Sequence, residues 1–190
     1  INSTRLAAEE IHGVPIEIVD TQCASGAQML AVEAGARALE NGAQFDEAVR
    51  AMRKVVEQQR TVFVVDTLEY LYKGGRIGGA AALLGSLLQF KPLLYFKEGE
   101  ISALERVRTS NRALTRMAEL MIDWLGKGEP LRAVIMEAAC TDSAEALEKL
   151  LLSHLNIAGA QIVALSPVLG THVGNGTLGL CCCPASLLTG

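Results

Sequence analysis

Apolar and polar positions follow two alternating periods along this chain. The run Val-Pro-Ile-Glu-Ile-Val over residues 14–19 is short and rich in β-branched residues, which predicts a strand ending at Asp20. Residues 24–39 carry Met29, Leu30, Val32 and Ala36 at helical spacing and close on Asn41-Gly42, so a helix follows. A second helix is predicted over 46–59, with Phe45, Val49, Met52 and Val56 on one stripe and acids in its first turn. Thr61-Val62-Phe63-Val64-Val65 is a near-continuous apolar strand. Residues 93–96 and 101–107 flank Lys97-Glu98-Gly99-Glu100, the pattern of a β-hairpin. Then come a helix over 111–125 stopped by Gly126, a strand over 133–137, a helix over 144–155 capped by Asp142 with Glu145 three residues on, and a strand over 161–165. A Gly-rich loop around His172 follows. Strand-then-helix alternation signals parallel pairing and the hairpin adds an antiparallel one, so the expected class is α/β with a mixed sheet. Residues 2–10 read as a helix with Ser3 or Thr4 as its N-cap.

The stretch that carries most chemistry is Asp66-Thr67-Leu68-Glu69-Tyr70-Leu71-Tyr72-Lys73-Gly74-Gly75-Arg76-Ile77. Helix-type spacing at Leu68, Leu71 and Tyr72 runs into a diglycine and then a guanidinium. Residue types alone allow two readings. One is a helix C-terminus, with Lys73 complementing the dipole and Gly74 beyond the last turn. The other is a turn that presents the planar fork of Arg76 to a carboxylate or a phosphate.

That string resembles the signature of the DegV family of bacterial fatty-acid-binding proteins. Four further segments match in the family's order: Leu84-Gly85-Ser86-Leu87-Leu88 with Lys91-Pro92, Gly99-Glu100-Ile101, Arg106-x-Arg108, and Gly170-Thr171-His172-Val173-Gly174-Asn175-Gly176-Thr177. An ordered five-part match over most of residues 60–180 is far more specific than one Gly-rich loop, and a weaker likeness extends upstream through Asp20-Thr21. The resemblance implies a two-domain α/β architecture. Residues 1–59 would be the C-terminal part of an N-terminal α/β domain, and 60–190 a C-terminal mixed-sheet α/β domain. In the family a segment like 2–10 directly follows a Ser-Gly-Thr turn whose hydroxyls serve the ligand's head group. That turn is absent here, so a chain lacking the N-terminal part is expected.

The function implied is that of a non-catalytic carrier. A long-chain fatty acid would lie in an apolar interdomain tunnel, its carboxylate presented to a separate ATP-dependent fatty-acid kinase. Carried over position by position, the ligand-binding residues are His172, Gly174, Gly176 and Thr177 of the late loop, Gly75, Arg76 and Ile77 of the signature, and Ser25. The tunnel wall would include residues 77–88. Arg76 and Lys73 would dock the kinase. Asn175 stands where the family has proline, which keeps a turn-forming residue but fixes φ less. Burying about 14 methylenes at ~0.8 kcal/mol each gives on the order of 11 kcal/mol before ordering costs, enough to drive such binding.

The competing reading is an enzyme that holds a phosphorylated small molecule through the Gly-rich loops around Arg76 and His172. It lacks a Walker Lys-Ser pair and a G-x-G-x-x-G unit opening a helix. Ser25 starts a helix, but no Gly-x-Ser-x-Gly surrounds it and no base is identifiable, so it reads as a helix-start residue. His172, taken alone, equally suits a loop histidine bonded to a backbone carbonyl. Asp20 and Asp66, each closing a strand, suit capping better than acid–base or metal chemistry. Cys181-Cys182-Cys183 in a strand point to alternate faces and cannot easily converge on one metal ion. No metal or cofactor is therefore expected, and the five cysteines are expected to be reduced thiols packed as small apolar residues.

Composition narrows the partners. Half of the 190 residues are hydrophobic and the net charge is −4, with no basic block interleaved with aromatics, which argues against nucleic acid. No apolar run opens the chain as a signal peptide would. The uncharged 77–90 stretch is too short to cross a bilayer, and the uncharged stretch from 155 onward is broken by glycines and Pro167. A cytoplasmic location without a transmembrane segment is expected, with room for transient membrane contact.

Overall fold

The computed structural model describes residues 2–84 and 90–189. Its centre is a mixed six-stranded sheet made of β1 (Arg60–Val64), β2 (Lys91–Lys97), β3 (Glu100–Val107), β4 (Leu131–Glu137), β5 (Ile157–Ala164) and β6 (Leu178–Pro184), in the order β3-β2-β1-β6-β4-β5. Only β4 and β5 pair in parallel; every other neighbouring pair is antiparallel.

Strand alternation sends side chains to two faces, and each face has its own cover. On one face Val62, Val64, Ala133, Ile135, Leu180 and Cys182 form a core with α5 (Ser110–Leu125) and α6 (Thr141–His154). On the other, Val134, Met136, Cys181 and Cys183 pack beneath α2 (Gly26–Glu40) and α3 (Phe45–Gln58). The helices before residue 60 thus share an apolar cluster with strands after it. Further along that second face, Phe63, Val65 and Leu94 pack with Leu68 and Leu71 around α4 (Glu69–Lys73), and with Ala80 of the 3-10 turn Gly78–Leu83. Between these two covers the sheet lies open. The opening is the site described below.

Local signals explain several boundaries. Thr109 accepts the Arg112 N–H at 3.2 Å and starts α5, and Gly126 ends it with φ 80°. At the start of α3 the Gln44 N–H donates to Glu47 Oε2 at 2.8 Å. Cys181 to Cys183 alternate faces as expected, and all three are buried thiols. Burial, with Glu33 nearby, pushes the Cys183 thiol up to about 12.

Four expectations are corrected. Residues 14–19 form no strand, and Val14 and Ile16 are exposed. A β-branched run becomes a strand only where a partner ladder is available, and these residues have none among those described. Ser3 and Thr4 sit inside α1 (Asn2–Glu9) rather than capping it. Asp142 lies within α6; the N-cap is Cys140, with no side-chain cap bond. Lastly, His172 is not in a loop but near the end of a short helix, α7 (Pro167–Val173). Residues 85–88 of the second matching segment, and with them part of the expected 77–88 wall, lie outside the described residues.

Candidate functional site

A cleft of about 870 Å³ occupies the open stretch of the sheet. Its floor is a row across three strands. Phe63 pairs with Gly179, and Gly179 pairs with Met136, so the two large side chains flank a bare backbone position. A Cβ on Gly179 would lie 3.0 Å from the Met136 methyl and 3.5 Å from Phe63 Cβ. The cleft is also lined by the irregular, turn-containing stretch from Ile18 to Ser25, by Gly75, Arg76 and Gly78, and by Leu169, His172 and Val173 of α7.

The rim is built by side chains seated where glycines have none. A Cβ on Gly74 would collide with His172 Nδ1, one on Gly174 with the Tyr70 ring, and one on Gly176 with the Asp66 carboxylate. Gly174 and Gly176 also have φ of 77° and 78°, a region costly for any other residue. The signature and the late glycine segment, a hundred residues apart, therefore interlock three times. Two other matching segments join them. Lys91 Nζ meets Asp66 Oδ1 at 2.6 Å, and Gly78 abuts the Ile101 backbone. Asp66 is thus an ion-pair partner of Lys91 instead of a helix cap; the Glu69 N–H is taken by Thr67 Oγ1 at 3.1 Å. Asp20 accepts the Gln22 N–H at 3.0 Å in a tight turn.

Of the residues singled out in the sequence, Ser25, Gly75, Arg76, His172 and Thr177 all line the cleft. Ile77, Gly174 and Gly176 lie behind it, in packing contacts. Ser25 precedes α2 with φ 55°, and its hydroxyl makes no cap bond. His172 Nδ1 is buried and has no hydrogen-bond partner among the described residues. That nitrogen is packed against Gly74 and closed to solvent, so it is the rest of the half-buried His172 side chain that lines the cleft, with Nε2 the ring nitrogen left to meet a ligand oxygen. Thr177 is buried, and its hydroxyl lies 2.9 Å from both the Val173 and Gly174 carbonyls, tying down the end of α7. Arg76 is exposed and its guanidinium makes no ion pair among the described residues, whereas Lys73 is held by Glu69 at 2.5 Å. Among the described residues no group of His, Cys, Asp and Glu side chains could hold a metal ion.

The sequence reading did not single out Cys23, Thr61, Met136 or Gly179 as cleft residues, yet all four border it. Strand alternation carried the signal for the last three, because Thr61, Phe63, Met136 and Gly179 share one face. What it could not reveal is that this part of the face has no helix over it.

Comparison with known proteins resolves what this constellation is. The sequence model described as "Uncharacterised protein, DegV family" matches residues 1–185. The chain belongs to the DegV family. A DegV domain-containing protein of Clostridium perfringens is 36% identical over 172 residues, covering 90% of this chain and 60% of its own length. Among solved structures, a DegV-family protein from Thermus thermophilus, described by its fatty-acid binding, superposes with a TM-score of 0.90 at 34% identity, covering 96% of this chain and 65% of the other. A DegV lipid-binding protein from Thermotoga maritima gives a TM-score of 0.87 at 29% identity, over 96% and 64%. The chain thus spans about three fifths of the length of these DegV relatives. The family's motifs are here given a physical role: most of them build the rim of one cleft.

Proposed function

We propose that this chain binds a long-chain fatty acid in the cleft and presents its carboxylate to a separate ATP-dependent fatty-acid kinase in the cytoplasm. The observation that carries the reading is a cleft with an apolar floor of Phe63, Gly179 and Met136 that is also lined by the polar side chains of His172 and Ser25. Solved relatives described as fatty-acid-binding support it. The carboxylate lies at His172 and the Ser25 hydroxyl, with Thr177 holding the end of α7 in place. The tail runs over the floor. The carrier itself does no chemistry; phosphoryl transfer belongs to the kinase, which Arg76, exposed on the rim, helps to dock together with Lys73. No cofactor takes part. No helix among the described residues is long and apolar enough to cross a membrane.

The alternative of an enzyme on a phosphorylated substrate finds less support. Gly74, Gly174 and Gly176 face His172, Tyr70 and Asp66 instead of open space, and their N–H groups already donate to the Tyr70, Gly170 and Ala138 carbonyls, which leaves them unavailable to cradle a phosphate. Mass spectrometry of an organic extract of the purified protein tests the choice. Co-purified long-chain acid is the expected result; a nucleotide or sugar phosphate would favour the enzyme.

A further inference from the structure

We propose that the sheet itself carries a second binding subsite, an opening between β1 and β2 through which the methyl end of the acyl chain passes to reach Trp124. The proposal rests on the fatty-acid reading and adds the orientation and the end-point of the tail.

The opening originates in one extra residue. In the β2–β3 ladder Leu93 pairs with Glu105 but Leu94 pairs with Ala103, so Leu104 has no partner and forms a bulge. A bulge bends its strand and increases the local twist. Beyond it β2 and β3 stay together as far as Lys97 and Glu100, whereas β1 and β2 pair only at Phe63–Leu94 and Val64–Leu93. Continuing that register would join Val62 to Tyr95 and Thr61 to Phe96, and these pairs are missing. The hairpin has twisted away from β1, while β1 keeps all five pairs with β6 on its other side.

A second chamber of about 470 Å³ fills the split, bordered by Thr61, Tyr95, Phe96, Trp124 and the bulged Leu104 itself. Thr21, Gln22, Cys23, Thr61, Phe96 and Glu98 also border the main cleft, so the two chambers adjoin at that neck. Phe96 is held there by Phe63, with ring centroids 5.5 Å apart.

Two of the chamber's polar side chains, Gln59 and Arg60, are already occupied. Gln59 donates to Cys23 Sγ at 3.4 Å and accepts from Cys181 Sγ at 3.3 Å. The Arg60 guanidinium donates to the Glu57 and Gln59 carbonyls at 3.0 and 2.8 Å. Gln22 and Glu98, which also border the chamber, are exposed to solvent, whereas Val56, Leu104 and the rings of Tyr95, Phe96 and Trp124 are half-buried and form the surface that suits an alkyl end. His172 lines the main cleft and not this chamber, which orients the acid with its carboxylate away from Trp124.

Trp124 is the only tryptophan, so its fluorescence reports this chamber alone. The 190-residue chain is titrated with ω-bromohexadecanoate and with α-bromohexadecanoate, bromine being a quencher that acts at contact, and binding of each is measured in parallel by calorimetry. The expected result is that both acids bind, that the ω-bromo acid quenches Trp124 by half or more, and that the α-bromo acid leaves its emission nearly unchanged. Equal quenching, or stronger quenching by the α-bromo acid, overturns the subsite while leaving fatty-acid binding intact. Binding of neither acid overturns both. As a second measurement, Leu104→Phe, at a position that borders the second chamber and not the main cleft, shortens the space for the tail's end. Octadecanoate affinity should then fall at least tenfold with decanoate affinity kept within twofold, and an equal loss for both contradicts a length-dependent passage.

Discussion

Replacing Gly174 by alanine places a methyl where the Tyr70 ring now lies and forces a side chain onto a backbone at φ 77°, ψ 171°. Two costs add. Holding a non-glycine residue in that region costs about 1–3 kcal/mol. Pushing a Cβ into a packed ring costs a further ~1–3 kcal/mol of overpacking. The sum, about 2–6 kcal/mol, is a large part of a typical stability of about 5–15 kcal/mol. For a domain of this size it corresponds to a fall in Tm of roughly 4–24 °C. Thermal and urea melts followed by circular dichroism give the single-variant value. The double variant with Tyr70→Ala separates the terms, because removing the ring abolishes the collision and leaves the backbone strain. A coupling of about 1–3 kcal/mol between the two sites is expected, as for residues in contact. A Gly174→Ala change within ~0.5 kcal/mol of the parent, or strictly additive effects, would refute the interlock between the signature helix and α7.

Other consequences are equally measurable. His172→Ala should weaken fatty-acid binding by about 1–3 kcal/mol, the worth of a hydrogen bond to a charged group, and calorimetry showing unchanged affinity would remove His172 from the site. Arg76→Ala should leave lipid affinity within about twofold yet slow acyl-phosphate formation with the cognate kinase, since a rim arginine at an interface acts on partner association; a parallel loss of both would place Arg76 in the pocket instead. Glu105 is held below its ordinary value of 4.5 first by its hydrogen bond from Arg116, so its contribution is complete above that value and is lost as pH falls through the lowered one. Because the pair is partly solvent-screened, Glu105→Gln should cost at most about 1 kcal/mol at neutral pH, and its melting curve should converge with the parent's in acid; a gap that widened on acidification would contradict the pairing.

The sequence made the elements legible where a period was long and unambiguous. The helices at 26–40, 45–58 and 110–125 and the hairpin around Gly99 lie within a residue or two of expectation. It failed where a local pattern needed a distant partner. Residues 14–19 have strand composition and no ladder to join among the described residues. The helix α7 was missed although its signals were present: Ser166 accepts the Leu169 N–H at 3.4 Å as N-cap, Pro167 opens the first turn, and Gly174 closes the last. The glycines flanking His172 suggested a loop, but Gly170 lies inside the helix. At the site, family motifs led to Ser25, Arg76, His172 and Thr177, and what they could not convey is how the motifs meet. That Gly174 seats Tyr70 and Gly176 seats Asp66 is a property of the third dimension. The bulge at Leu104 is likewise invisible in a run of alternating residues, because nothing in Ala103-Leu104-Glu105 marks which residue loses its partner.

The central claim is that the cleft over Phe63, Gly179 and Met136 is an acyl-chain site whose polar end is His172. Its most direct measurement is the nuclear magnetic resonance spectrum of the His172 ring as carboxyl-labelled hexadecanoate is added, with His12 and His154, both on exposed chain segments, as internal references. The account predicts saturable binding, a cross-peak or shift linking the labelled carboxyl to the His172 ring, and no change at the other two histidines. Saturable binding that leaves His172 unperturbed, or no binding of the acid at all, would contradict it.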